Sequence, residues 1–131
     1  MSFIKVHRML MVSKEDIDDI MCSALEGGVT YWCDRCEVVG EYKGKYASEQ
    51  ISGYGELRFH VIEEFEEGID TYELNKEKFL KGLQKWIDEE GAYDAIGCDD
   101  GQFLYLDTGN IDGNTADSII QYALFGEIVY A

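Results

Sequence analysis

Cys33-Asp34-Arg35-Cys36 has the spacing of either half a structural zinc site or a dithiol redox pair. A zinc site needs four ligands, usually as two spaced pairs, and the rest of the chain offers only the isolated Cys22, Cys98, His7 and His60. A redox pair needs positive charge near its first cysteine to lower the thiol pKa, whereas Arg35 is hemmed in by Asp34 and Glu37. The reading is therefore two inert thiols that behave as small hydrophobes, with no metal and no cofactor. Asp107 to Asn114 (DTGNIDGN) invites a calcium reading. With Gly113 at loop position six, however, Thr108 stands where the first acid should be and Ile119 where the bidentate Glu should be. The two histidines, His7 and His60, lie in strand-like runs away from any candidate nucleophile. No nucleophile elbow, phosphate-binding loop, dinucleotide fingerprint or paired-histidine zinc motif occurs. Glu63 and Glu64 could serve acid/base chemistry as a pair, but with Glu66 and Glu67 they form a run of like charges that reads as a solvated loop. No residue is nominated as catalytic, and the expectation is a protein that is not an enzyme.

The elements that must position these residues are legible in part. Phe3 to Val12 reads as a first strand. Ser13 reads as the cap of a helix with Glu15 and Asp16 in its first turn and Ile17, Ile20, Met21, Ala24 and Leu25 on one face, stopped by Gly27 and Gly28. Val38-Val39 suggests a short strand, and Ser48 to Gly55 is loop chemistry. Leu57, Phe59 and Val61 alternate with Arg58, His60 and Ile62, a strand with one buried face. An acidic loop over Glu63 to Asp70 joins it to a second strand at Thr71 to Leu74. Asn75 then caps a helix whose stripe is Phe79, Leu80, Leu83, Trp86 and Ile87, ended by Gly91. Phe103 to Leu106 follows as a strand, Ala116 to Phe125 as a helix ended by Gly126, and Ile128 to Tyr130 as a closing strand. Without regular alternation of strand and helix, this predicts a single α+β domain over residues 1–131, three helices packed on a mainly antiparallel sheet of four to five strands.

Charge is the strongest signal. The chain of 131 residues has 27 acids against 11 Lys and Arg, a net charge of −16. Lys85 is the last base; the stretch after it carries ten acids, hence −10 of that total. Such imbalance costs self-repulsion in the compact state, which fits attraction to a basic partner or simple solubility. Disorder is excluded because 46% of residues are hydrophobic and 13% aromatic. Direct nucleic-acid binding and anionic membrane surfaces are disfavoured, since both are driven by Lys and Arg. The longest uncharged run near the start, Met9 to Ser13, is too short for a signal-peptide core or a membrane span, so the expectation is the cytoplasm, with reduced cysteines. The aromatic group Tyr31, Trp32, Tyr42, Tyr46 and Tyr54 is either core or a binding surface.

Three stretches carry a resemblance: Ala24-Leu25-Glu26-Gly27-Gly28-Val29-Thr30-Tyr31-Trp32-Cys33, Tyr46-Ala47-Ser48-Glu49-Gln50-Ile51-Ser52, and Gln121-Tyr122-Ala123-Leu124-Phe125-Gly126-Glu127-Ile128-Val129. Together they resemble a group of small acidic proteins of bacteriophages, prophages and other mobile elements of Gram-positive gut bacteria. The resemblance implies context and no catalytic residues. Because phage accessory genes often encode acidic proteins that occupy DNA-binding clefts, it implies a DNA-mimicking inhibitor of host defence, anti-CRISPR-like or anti-restriction-like. Its partner would be a basic, nucleic-acid-binding host protein, and a homodimer is compatible with it. The carboxylates assigned to partner binding are Asp88, Glu89, Asp94, Asp99, Asp100, Asp107, Asp112 and Asp117, extended by Glu63, Glu64, Glu66 and Glu67. The alternatives are a module that sequesters a small metabolite or nucleotide signal in an aromatic pocket, and a structural or regulatory protein of the phage particle.

Overall fold

The computed structural model describes residues 9–91, 93–99 and 103–131, with the backbone alone at Tyr93 and Asp99. It is α+β, with three α-helices and two three-stranded sheets in place of the single larger sheet expected. The reason is a crossover that no local pattern announces. Strand β1 (Leu10–Met11) pairs in parallel with β6 (Phe103–Leu106), which pairs antiparallel with β5 (Ile96–Asp99). The second sheet is an antiparallel meander of β2 (Cys33–Val39), β3 (Glu56–Val61) and β4 (Thr71–Leu74). Of the expected strand over Phe3 to Val12, residues 3–8 lie outside the described residues. Ile128 to Tyr130, expected as a strand, runs without ladder partners.

The helices follow their capping chemistry. Helix α1 (Lys14–Ser23) opens with a capping box in which Ser13 Oγ accepts from Asp16 N–H and the Asp16 carboxylate accepts from Ser13 N–H. It does not stop at Gly27-Gly28 but widens into a π-helical turn, Ala24–Gly28. Gly28 is required there, because a Cβ would collide with the Gly113 carbonyl of α3 (Gly113–Phe125). Helix α2 (Lys76–Glu90) is capped by Asn75, whose side chain accepts from Lys78 N–H, and ends at Gly91 with φ 74°. Gly82 on α2 abuts Ala123 on α3, while Trp86 and Glu90 stand beside Thr115, so the two helices run antiparallel. The core between helices and sheets holds Ile17, Ile20, Trp32, Phe59, Phe79, Trp86, Ile119 and Ile120, all buried. Leu80, expected in the buried stripe of α2, is exposed and borders an open groove shared with Leu10, Val12, Ile96 and Leu104.

Candidate functional site

Asp117 is the first correction to the acidic set. It is 7% exposed, in the wall of the core, because α3 turns that face toward Tyr31 and Trp32. Trp32 Nε1 donates to Asp117 Oδ1 at 2.7 Å, the Tyr31 hydroxyl donates to Oδ2 at 2.6 Å, and Gln121 Nε2 donates to Oδ1 at 3.0 Å. Gln121, itself buried, accepts the backbone N–H groups of Val129 and Tyr130 on its Oε1, both at 2.9 Å, and its amide nitrogen donates to Tyr130 O. The network therefore ties the segment after α3 to the tip of the Tyr31-Trp32 turn, and Tyr130 stacks on Trp32 at a ring separation of 5.5 Å. Withdrawal of the Tyr31 hydroxyl from water, reinforced by the Asp117 carboxylate, pushes its pKa up to about 12, so at neutral pH it stays a donor. Asp117 is a buried acceptor that organises three donors and is unavailable to a partner. Its i, i+4 partner Gln121, polar in an otherwise apolar stretch, is the sequence signal that could have separated it from the surface acids.

Most of the other acids assigned to partner binding fall into two groups. At the junction where α2 ends and α3 begins, Glu90 and Asp94 line one hollow with Asn110 and Thr115, and Asp107 and Asp112 flank it. Asn110 Nδ2 bridges the Asp94 carbonyl (2.7 Å) and Asp107 Oδ2 (3.1 Å), and Asp107 N–H donates to Ala95 O. Thr108 Oγ1 donates to Asp19 Oδ2 at 2.9 Å, adding an acid from α1 that the sequence reading had not included. Two of these residues also have local duties. Asp107 caps a 3₁₀ turn (Thr108–Asn110), and Asp112 caps α3 by accepting from Thr115 N–H at 2.8 Å, a bond that holds its pKa below the usual carboxylate value. The calcium-like run is thus a pair of caps. Asp88 and Glu89 are exposed in the last turn of α2, Asp88 accepting from Gln84. Asp99 closes β5, and Asp100 lies outside the described residues.

Glu63, Glu64, Glu66 and Glu67 stand elsewhere. Their loop joins β3 to β4 at the far end of α3, where Phe65 contacts Phe125 edge-on at 4.9 Å and the Tyr130 hydroxyl donates to Glu63 O. A helix of 13 residues separates the two acidic groups by about 20 Å. The remaining surface is not acidic throughout. The open face of the meander is a ladder of opposite charges in which Arg58 pairs with Glu73 (2.9 Å) and Glu37 (3.4 Å), and Glu37 also meets His60 Nε2 (2.8 Å), which holds the Glu37 pKa down. Lys81 and Lys85 project from the exposed side of α2.

Cys33 and Cys36 both face the core, although three positions apart in a regular strand would put them on opposite faces. A register shift between Cys33 and Arg35 inserts the missing residue. Cys33 is buried with its thiol donating to Arg35 O at 3.2 Å, and burial pushes both thiols up in pKa, Cys36 strongly. Among the described residues no group of three or more His, Cys, Asp or Glu is placed to hold a metal ion. Two outcomes are expected. In the native protein at pH 8, Cys33 and Cys36 resist alkylation that goes to completion after denaturation, as followed by mass spectrometry. Cys33→Ser with Cys36→Ser leaves a folded protein, less stable by about 0.5–3 kcal/mol. Stoichiometric zinc with unfolding by chelator would contradict both.

The aromatic group divides. Trp32 belongs to the core, whereas Tyr42, Tyr46 and Tyr54 are exposed on a loop pinned from within by Gln50, which accepts from Lys43 N–H and donates to Glu41 O. Tyr54 adopts φ 67° and carries Lys76 over its ring at 4.1 Å. A cleft of about 340 Å³ lies between Tyr31, Trp32, Ile62, Glu63 and Tyr130. Its aromatic polar groups are already bonded to Asp117 and to main-chain carbonyls, which leaves little to orient a small ligand, and Glu63 at its rim opposes an anionic one. Among the described residues no helix is long and apolar enough to cross a membrane. No protein-family model, curated protein or solved structure matches this chain.

Proposed function

We propose that this chain is a non-enzymatic accessory protein of a phage or other mobile element that binds a basic, nucleic-acid-binding host protein and inhibits it by standing in for DNA. The observation that carries this reading is the gathering of Glu90, Asp94, Asp107 and Asp112, with Asp19, at one end of the molecule, while the sheet face and the exposed side of α2 keep their cations. The second group, in the Glu63 to Glu67 loop, lies about 20 Å away, the span of about six phosphate steps along one strand, so two footprints on one charged cleft are geometrically compatible.

The test is a salt-resolved capture with a charge-neutral variant. Wild-type protein on beads is expected to recover a basic nucleic-acid-binding protein from host lysate at low salt, to release it as salt rises, and to lose it to added duplex DNA. Glu89→Gln, Glu90→Gln, Asp94→Asn and Asp112→Asn combined should abolish capture with the fold intact. Asn retains the helix cap at position 112, and relief of self-repulsion leaves stability equal or slightly higher. Capture that withstands high salt, or that survives in the variant, would count against the reading.

A further inference from the structure

The outer face of the β1-β6-β5 sheet is apolar, and among the described residues nothing covers it. Leu10, Leu104 and Leu106 point inward, so by strand alternation Met11, Phe103 and Tyr105 point outward. They are 58%, 51% and 45% exposed. Met11 stands opposite Tyr105 in register, and Tyr105 lays its ring over Gly97 of β5, where any side chain would meet it. Three large apolar side chains side by side on one face of a three-stranded sheet are more than the scattered exposure normal for a surface. Where β5 begins and β6 ends, this face is bounded by Asp94 and Asp107, joined through Asn110. An apolar centre with a charged margin is the anatomy of a protein interface.

We propose that this sheet face is the apolar centre of the surface that receives the basic partner, Asp94 and Asp107 being part of its charged margin; the inference rests on the function proposed above. The occupant is a protein segment that presents apolar side chains between Lys or Arg. Charge selects it over a second copy of this chain, because symmetric pairing would bring two acidic margins together in molecules of net charge −16 each. It also explains why acids and exposed apolar residues share the β5–β6 region: the carboxylates steer and orient a basic partner, and the apolar centre slows its departure.

The experiment uses two labelled peptides of equal length and charge, one alternating Lys and Leu, the other Lys and Ser, titrated into the full chain. Wild type is expected to prefer the Lys-Leu peptide by about tenfold, the effect of burying one or two leucine side chains. Met11→Ser with Phe103→Ser, both at exposed positions, should erase that preference while leaving the affinity for the Lys-Ser peptide and the urea midpoint unchanged. A preference that persists in the double variant overturns the proposal and leaves the basic-partner reading standing. Binding of neither peptide by wild type removes both. A wild-type dimer by light scattering that becomes monomeric in the double variant assigns the face to a second copy and also overturns the proposal.

Discussion

Trp32→Ala is expected to be the costliest single substitution in this protein. The ring is 2% exposed, stacks on Tyr130 (5.5 Å) and Phe59 (6.2 Å), and meets Phe125 edge-on at 5.5 Å. Its removal costs about 3–5 kcal/mol as lost transfer and a residual cavity. The loss of one of the three donors to Asp117 adds about 1–3 kcal/mol, because the carboxylate stays buried when its partner leaves. Against the roughly 5–15 kcal/mol that holds a domain together, that is enough to leave the variant partly unfolded at room temperature. The measurement is urea unfolding, in which the midpoint falls while the slope stays that of the wild type. Trp32→Phe separates the two contributions, since it keeps most of the ring packing and removes only the N–H. Equal losses for Phe and Ala would show that the hydrogen bond, and not the stacking, is what Trp32 supplies.

Trp86→Ala is expected to come next, at about 3–5 kcal/mol. Trp86 is 6% exposed on the side of α2 that faces α3, one turn beyond Gly82. At Gly82 the helices approach so closely that a Cβ would stand 2.5 Å from the Cβ of Ala123, and one turn on Trp86 stands beside Thr115 of α3. Cavity collapse is limited there, because the Gly82–Ala123 contact already holds the helices at their minimum separation. Thermal unfolding of Trp86→Ala beside Lys85→Ala makes the contrast, with the exposed neighbour expected to change stability by no more than about 0.5 kcal/mol. A neutral Trp86→Ala would place that ring on a binding surface instead of in the core.

What could be read from the sequence was what the chain settles locally. The caps at Ser13 and Asn75, the stops at Gly91 and Gly126, the alternation of Leu57, Phe59 and Val61 and the acidic hairpin loop all stand where side-chain chemistry within a few residues puts them. Three kinds of feature were not accessible. The parallel pairing of Leu10 with Leu104 depends on residues far apart in the chain, and with it went the division into two sheets and strand β5. The bulge at Asp34 changes which side chains of Cys33-Asp34-Arg35-Cys36 face inward, and an irregularity of one residue leaves no periodic trace. The burial of Asp117 depends on donors 85 and 86 positions away, and acids are counted as surface by default because an unpaired charge in the core is so costly. The same blindness explains the motif Glu26-Gly27-Gly28…Tyr31-Trp32: what made it look distinctive is architectural, a π-helical turn that lets α3 approach at Gly28 and two donors that hold Asp117.

The pairing of Leu10 with Leu104 also sets a timetable for synthesis. A chain that leaves the ribosome at about 5–20 residues per second exposes its first strand about 5–20 s before the strand that completes its sheet has been made. In that interval β2, β3, β4 and α2, contiguous in sequence, can assemble, while Leu10 and Met11 have no sheet to join. No slow isomerisation lengthens the wait, because the sequence contains no proline. During the delay the protection of the nascent chain falls to its charge: Glu15, Asp16, Asp18 and Asp19, next to the waiting strand, keep neighbouring copies on a polysome apart until β6 arrives.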